Sequence, residues 1–488
     1  MKILFASTEV APISHVGGLG DVVQSLPLAL HALGVESRIV IPFTTHIDLK
    51  KYECRQISRF TFPIAGFEEE AIVWRTDYFK NVPVFILENK NFFHGNKMYG
   101  DFYGFNQPAR YCFFSKAVIE LIRGWDFVPD IIHTHDFFTS IISLYRDTIY
   151  KQDPIISKIG TLLTIHSIRS QGKTNHSILD YAGIPHKDLS GYEPDGLGDV
   201  SLISLGIAHS DIITTVSPTY AKEVRTAEYG YGVEKMVRRR SRDFYGILNG
   251  IDVAKFDPKR TDQLYHPYRL GNVMRIKPKN KKKLLEKLGL HDRFKQPLVA
   301  MVTRLDEQKG MDLVFEALPH MVELDWTFVF LGQGRLDYVK KLKELAKRYP
   351  RNVRVKFVFD SALGKLIYAG SDLFLMPSKF EPCGLGDMMA MRYGTLPLVR
   401  LVGGLKDVVK DGYNGFGFVK YSVDGLISAI NRAHETYSPY QGQKKRGRRI
   451  VTKWEQIVKH AMRKDVSWKK SARQYLTLYK KVLQKKDI

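Results

Sequence analysis

The feature that most constrains the fold is a strand–turn–helix pattern, clearest at residues 372–394 (DLFLMPSKFEPCGLGDMMAMRYG). A short apolar run, 373–376, has the length of a buried strand. Pro377 and Ser378 break it, and the segment Phe380-Glu381-Pro382-Cys383-Gly384-Leu385-Gly386 is built to turn. Residues 387–393 then read as a helix, with Asp387 near its start and Gly394 placed to stop it. Such a unit sets loop amides and a helix N-terminus at the carboxyl edge of a sheet. Open α/β sheets bind ligands at that edge, and phosphate is favoured there. Glu381 lies in the turn itself, either as a site residue or as a plain surface carboxylate.

The same pattern runs along the chain twice. Residues 3–6 read as a strand, followed by Glu9, then His15-Val16-Gly17-Gly18-Leu19-Gly20-Asp21 and a helix through Leu33. Glycines ahead of a helix let free N–H groups face a phosphate. Strands at 37–42, 130–136, 162–166, 212–217 and 246–252 continue the series, after a strand-rich insertion at 51–110. Helices are expected at 110–123 and 137–145. A linker leads into a basic helix, and the pattern restarts with strands at 298–302, 326–331, 353–359, 373–376 and 396–399. This predicts two doubly wound α/β domains. The boundaries expected are 1–257 and 258–464, with a terminal helix, 465–488, whose stripe of Trp468, Ala472, Tyr475, Leu478 and Tyr479 docks back on the first domain.

Length supports this, since 488 residues exceed what one hydrophobic core can serve. No apolar run reaches membrane-spanning length, and Glu9 and Pro12 make the N-terminus a first strand rather than a signal peptide. The only cysteines, Cys54, Cys112 and Cys383, have no metal or disulfide spacing, so a reducing cytoplasm is expected. The formal charge of +23 suits a polyanion partner, an anionic substrate or simply a lysine-rich proteome. The dense runs 277–287 and 444–449 read as solvated surface, and no nucleic-acid partner is expected because the second lacks interleaved aromatics. An aromatic-rich stretch, 99–110, could stack on sugar rings or serve packing. His133-Thr134-His135-Asp136 has metal-like composition but no further ligand at helical spacing. Asp136, at a strand end, is the better site candidate, and several strand-end histidines together, His166 among them, favour a site.

These residues carry a resemblance. GGLGDVV (17–23), HTHDFFTS (133–140), TTVSPTYAKEV (214–224), GILNGID (246–252), TRLDEQKGMDL (303–313), PSKFEPCGL (377–385), AMRYGTLPLV (390–399) and GGLKDVV (403–409) fall in the order found in bacterial glycogen synthases and plant starch synthases. The chain resembles that family, glycosyltransferase family five, almost end to end. The resemblance implies the GT-B fold, with two facing Rossmann-like domains, a deep interdomain cleft and a C-terminal helix that crosses back. It implies retaining transfer of glucose from ADP-glucose to the non-reducing 4-OH of an α-1,4-glucan, with no metal cofactor; a UDP-glucose donor, another acceptor or a glucan-binding relative are the alternatives. Carried over by position, Arg304 and Lys309 hold the departing diphosphate, and Glu381 faces the donor glucose beside Cys383, Gly384 and Leu385. His166 contacts the sugar near its 6-OH. Asp136 and Asn249 line the sugar side, Asp21 lies near the acceptor, and Phe359 stands against the adenine. His15, Gly17 and Gly18 occupy the donor-phosphate loop, with His15 where the family usually has lysine. Other departures are Phe137, Ser167, Ser170, Asp387-Met388 and Met389.

Overall fold

In the computed structural model, Lys2–Ala6 forms strand β1, and Ile3, Leu4, Phe5 and Ala6 are wholly buried. A strand buried on both faces needs cover on both sides, which helical crossovers supply in a parallel sheet. The structure describes residues 1–93, 106–185, 199–260, 262, 264–437, 444–445, 448–449 and 451–486. The chain divides into two units, Met1–Asn249 with Trp468–Ile488, and Gly250–Ser467.

The first unit continues with β2 (Glu36–Pro42), β3 (Arg55–Ile64), β4 (Phe67–Thr76), β5 (Val84–Glu88), β6 (Ile131–His135) and β7 (Gly160–Ile165). A small antiparallel ribbon, β8 (Lys173–Asn175) and β9 (Asp199–Ser201), precedes β10 (Ile212–Thr215) and β11 (Phe244–Gly246). Nine strands form one sheet in the order β11-β10-β7-β6-β1-β2-β5-β4-β3. Pairing is parallel from β11 to β5, and the β3–β4 hairpin adds antiparallel at the edge. Strand order reverses at β1, between β2 and β6. The C-terminal helix, Trp468–Lys485, buries Trp468, Ala472, Tyr475, Leu478, Tyr479 and Val482 in the same core as Ile3, Phe5, Ile131 and Leu162. Its helical apolar spacing explains why this face docks there.

The second unit has β12 (Leu298–Val302), β13 (Thr327–Leu331), β14 (Val353–Lys356), β15 (Leu373–Met376), β16 (Leu396–Arg400) and β17 (Phe416–Phe418). All pair in parallel, in the order β14-β13-β12-β15-β16-β17. This is the doubly wound order that opens a crevice where the winding reverses, here between β12 and β15.

Several elements differ from the sequence reading. The helix at 137–145 is two short pieces, Asp136–Thr139 and Ile142–Asp147. Ser140 Oγ donates to the carbonyls of Phe137 and Leu202, local bonds that compete with helix propagation. β14 stops at Lys356, whose partner Leu331 ends β13, so Phe359 lies beyond the sheet. β11 ends at Gly246 instead of starting there.

The first basic run was expected on solvated surface, yet Lys277 and Lys281 are fully buried on the helix Val273–Lys287. Lys277 Nζ donates to the carbonyls of Tyr368 and Ala369 and to Thr395 Oγ1. Lys281 pairs with Asp372 at 2.6 Å and donates to the Gln296 carbonyl. Lys281 also donates to the Tyr437 hydroxyl at 3.3 Å, and polar partners on four neighbouring segments replace the water these ammoniums lose. Residues 99–105 of the aromatic stretch and 446–447 of the second basic run lie outside the described residues.

Candidate active site

The switch point of the second sheet is built by the loops after β12 and β15. Gly310 has φ 68°, and a Cβ there would stand 2.1 Å from the carbonyl oxygen of Pro377, so only glycine lets the two backbones touch. The loops are then joined by the Lys379 amide donating to the Gln308 carbonyl at 2.8 Å, and by Gln308 Nε2 donating to the Phe380 carbonyl at 3.3 Å. This contact brings Lys309 Nζ to 2.6 Å from Glu381 Oε2. The Ser378 hydroxyl donates to the same oxygen at 3.0 Å. A third loop, after β16, supports the turn from behind. The Gly404 amide donates to the Glu381 carbonyl, and a Cβ at Gly404 would sit 2.1 Å from the Cys383 carbonyl oxygen. Ser378 and these glycines were not singled out from sequence.

A pocket of ≈ 100 Å³ adjoins the pair, lined in part by Thr303, Lys309, Ser378, Glu381, Gly384 and Leu385. It is smaller than the ~300–1,000 Å³ typical of whole-ligand sites, so it has room for part of a ligand. Gly384 has φ 82° and Cys383 is buried. Arg304, by contrast, is 74% exposed and 3.6 Å from Asp306. Phe359 is 82% exposed, an open aromatic face just ahead of the helix Ser361–Gly370. Asp387 is wholly buried, and among the described residues neither carboxyl oxygen has a hydrogen-bond partner. Burial, with Glu381 adding to it, pushes its pKa well above the usual carboxylate range.

In the first unit, the loops after β1 and β6 hold the corresponding switch point. The sequence reading left the amides of the glycine loop free for phosphate. Two of them are taken, because the buried Glu9 carboxylate accepts from Val16 N at 2.6 Å and Gly17 N at 2.8 Å. An acid at the end of the first strand is the signal that could have flagged Glu9. His15 Nε2 lies 3.1 Å from Asp21 Oδ2. Gly18 opens the helix Gly18–His31, with Gly17 as its N-cap.

Asp136 has φ 52°, and its Oδ1 accepts from the amides of His166 at 2.7 Å and Ser167 at 3.3 Å. Burial raises its pKa to about 7, opposed by those two amides. His135 Nδ1 and His166 Nε2 are 3.0 Å apart. His133 uses Nδ1 with the Tyr479 hydroxyl and Nε2 with Thr164 Oγ1, which leaves neither nitrogen for a metal. Burial keeps His133 and His135 well below the ordinary imidazole range and lowers His166 to about 3, so all three are neutral near pH 7. Asn249 is buried, and its Oδ1 has no partner among the described residues.

Two Rossmann-like sheets, each with a reversal point, are the architecture of the GT-B glycosyltransferases. Residues 2–239 match the family described as starch synthase catalytic domain, and residues 280–450 match glycosyl transferases group 1. The chain is 37% identical to the glycogen synthase of Thermosipho melanesiensis over the whole of both chains. It is 39% identical to that of Fervidobacterium nodosum over 99% of each. The catalytic domain of starch synthase IV from Arabidopsis thaliana, solved bound to ADP and acarbose, superposes with a TM-score of 0.88 at 33% identity, covering 99% of each chain. The chain therefore belongs to the glycogen and starch synthase family, and it is a hexosyltransferase. Among the described residues, no helix is long and apolar enough to cross a membrane.

Proposed function

We propose that the chain moves glucose from ADP-glucose to the non-reducing 4-OH of an α-1,4-glucan, with retention at the anomeric carbon and without a metal cofactor. The observation that carries this reading is the Lys309–Glu381 contact at the switch point, in a chain that matches its relatives end to end. The bond from the anomeric carbon to the ADP oxygen breaks, and its electrons stay with the diphosphate. The glucan O4 bonds to that carbon, and the hydroxyl proton is released. Negative charge therefore grows on the leaving group while positive charge grows on the sugar. Lys309 and Arg304 answer the first, through ammonium and guanidinium hydrogen bonds to phosphate oxygens. Glu381 answers the second and accepts from sugar hydroxyls.

Cys383, Gly384 and Leu385 offer backbone amides to the donor, and Phe359 offers its exposed face to the adenine. In the first unit, His15 and Gly18 serve the donor phosphates, with Gly17 shaping their loop because its own amide is held by Glu9; His166 and Asn249 serve the hexose, and Asp21 and Asp136 the acceptor side. Acarbose in the starch synthase IV structure is consistent with an α-glucan acceptor for this chain as well. The test is release of nucleoside diphosphate from ADP-glucose and, in parallel, UDP-glucose, each with glycogen. Release of ADP only when glycogen is present supports the reading. Faster turnover of UDP-glucose would reassign the donor, and no release from either would reject transfer.

A further inference from the structure

We infer that His135 is a positioning residue that fixes the ring tautomer of His166, so that His166 presents an N–H at Nδ1, a hydrogen-bond donor, to the ligand. The two imidazoles share one hydrogen bond, His135 Nδ1 to His166 Nε2 at 3.0 Å, and its direction decides both tautomers. The remaining nitrogen of His135, Nε2, is buried and has no hydrogen-bond partner among the described residues. Were His166 the donor, His135 would accept at Nδ1 and carry its own proton on Nε2, an orphaned buried N–H. Such groups are rarer in folded proteins than under-satisfied acceptors. With His135 as the donor, its Nε2 is a bare lone pair, and His166 accepts at Nε2 and is protonated at Nδ1. Both rings are neutral near pH 7, because burial lowers each of them, so no third arrangement with an added proton competes.

The surroundings hold this arrangement in place. His133 stacks on His135 with centroids 4.4 Å apart, and is itself held at both nitrogens by Tyr479 and Thr164. The His166 amide is held by Asp136 at 2.7 Å. His166 is only partly buried, unlike His133 and His135. A fixed donor there suits an acceptor oxygen, such as a hexose hydroxyl, and cannot accept a proton from one. That last assignment rests on the proposed hexose role of His166; the tautomer itself does not.

The experiment is a long-range proton–nitrogen correlation spectrum of the full-length protein labelled with 15N-histidine, at neutral pH. The His166 signals are assigned by their loss in His166→Gln. A protonated Nδ1 and bare Nε2 on His166 is the result expected, and the reverse pattern would overturn the inference. In His135→Phe, the His166 signals should move toward the other tautomer and KM for ADP-glucose should rise several-fold. His135→Asn keeps a donor near the Nδ1 position and should restore both. Unchanged His166 signals in a folded His135→Phe would also overturn it. The wild-type spectrum reads the tautomer even if the chain turns over no nucleotide sugar, so failure of the proposed function is seen separately.

Discussion

The Lys309 ammonium lies 2.6 Å from Glu381 Oε2, and this contact joins the two loops that flank the switch point of the second sheet. Only 16% and 8% of the two side chains are exposed, so water screens the pair weakly. The hydroxyl of Ser378 adds a hydrogen bond on the same oxygen. One cation and one carboxylate are thus already oriented, at a place where the proposed reaction separates charge.

Gly310 makes that contact possible. Gly310→Ala adds a Cβ only 2.1 Å from the Pro377 carbonyl oxygen, at φ 68°, so the loops must move apart. We expect a loss of about 1–3 kcal/mol in stability from the strained backbone. Turnover should fall by a larger factor than stability alone explains. Chemical denaturation and steady-state kinetics on the same preparation check both, and wild-type values would show that the loops need no such approach.

Glu9 holds the glycine loop through the amides of Val16 and Gly17. Glu9→Gln removes the charge from those bonds and should cost about 1–2 kcal/mol. Hydrogen exchange at Val16 and Gly17 should quicken, while exchange in β1 stays slow. Equal protection in both proteins would contradict the assigned role.

Lys277 offers a pH test. Burial lowers its pKa from 10.5 to about 7. The unfolded chain therefore binds more protons than the folded one between about pH 7 and 10.5, and stability from this group rises with pH across that window. It is fully present above the unfolded value and lost as pH falls through 7. Relative to wild type, Lys277→Met should lack a positive slope of at most about 1.4 kcal/mol per pH unit. Parallel stability–pH curves for the two proteins would contradict the lowered pKa.

The family resemblance implies a lysine at the position of His15, which lies 3.1 Å from Asp21. His15→Lys supplies a permanent charge on a longer arm. It should tighten ADP-glucose binding about 5- to 10-fold, on the order of 1 kcal/mol. Unchanged or weaker binding by calorimetry would show that position 15 does not face the donor phosphates.

Much of the fold was legible because parallel strands covered on both faces read as short unbroken apolar runs, and glycine-rich turns mark where they end. Glu381 stood out as a charge in such a turn, and Lys309 was placed by the family resemblance. What escaped was set by partners distant in sequence. Glu9 looked like no more than an interruption of an apolar run, because the amides it holds belong to a loop that returns seven and eight residues later. Lys277 and Lys281 sat in a polar run that reads as surface, and Asp372, Thr395, the Tyr437 hydroxyl and carbonyls from neighbouring segments make their burial tolerable. The His135–His166 bond spans 31 residues and forms because β6 and β7 are neighbours in register.

ADP release from ADP-glucose and glycogen, compared between wild type, Lys309→Ala and Glu381→Ala, tests the charge pair most directly. The expected result is glycogen-dependent release in wild type and a fall in kcat on the order of 10²–10³ in each folded variant, the scale of one lost transition-state contact. Wild-type turnover in either folded variant would contradict the roles given to Lys309 and Glu381.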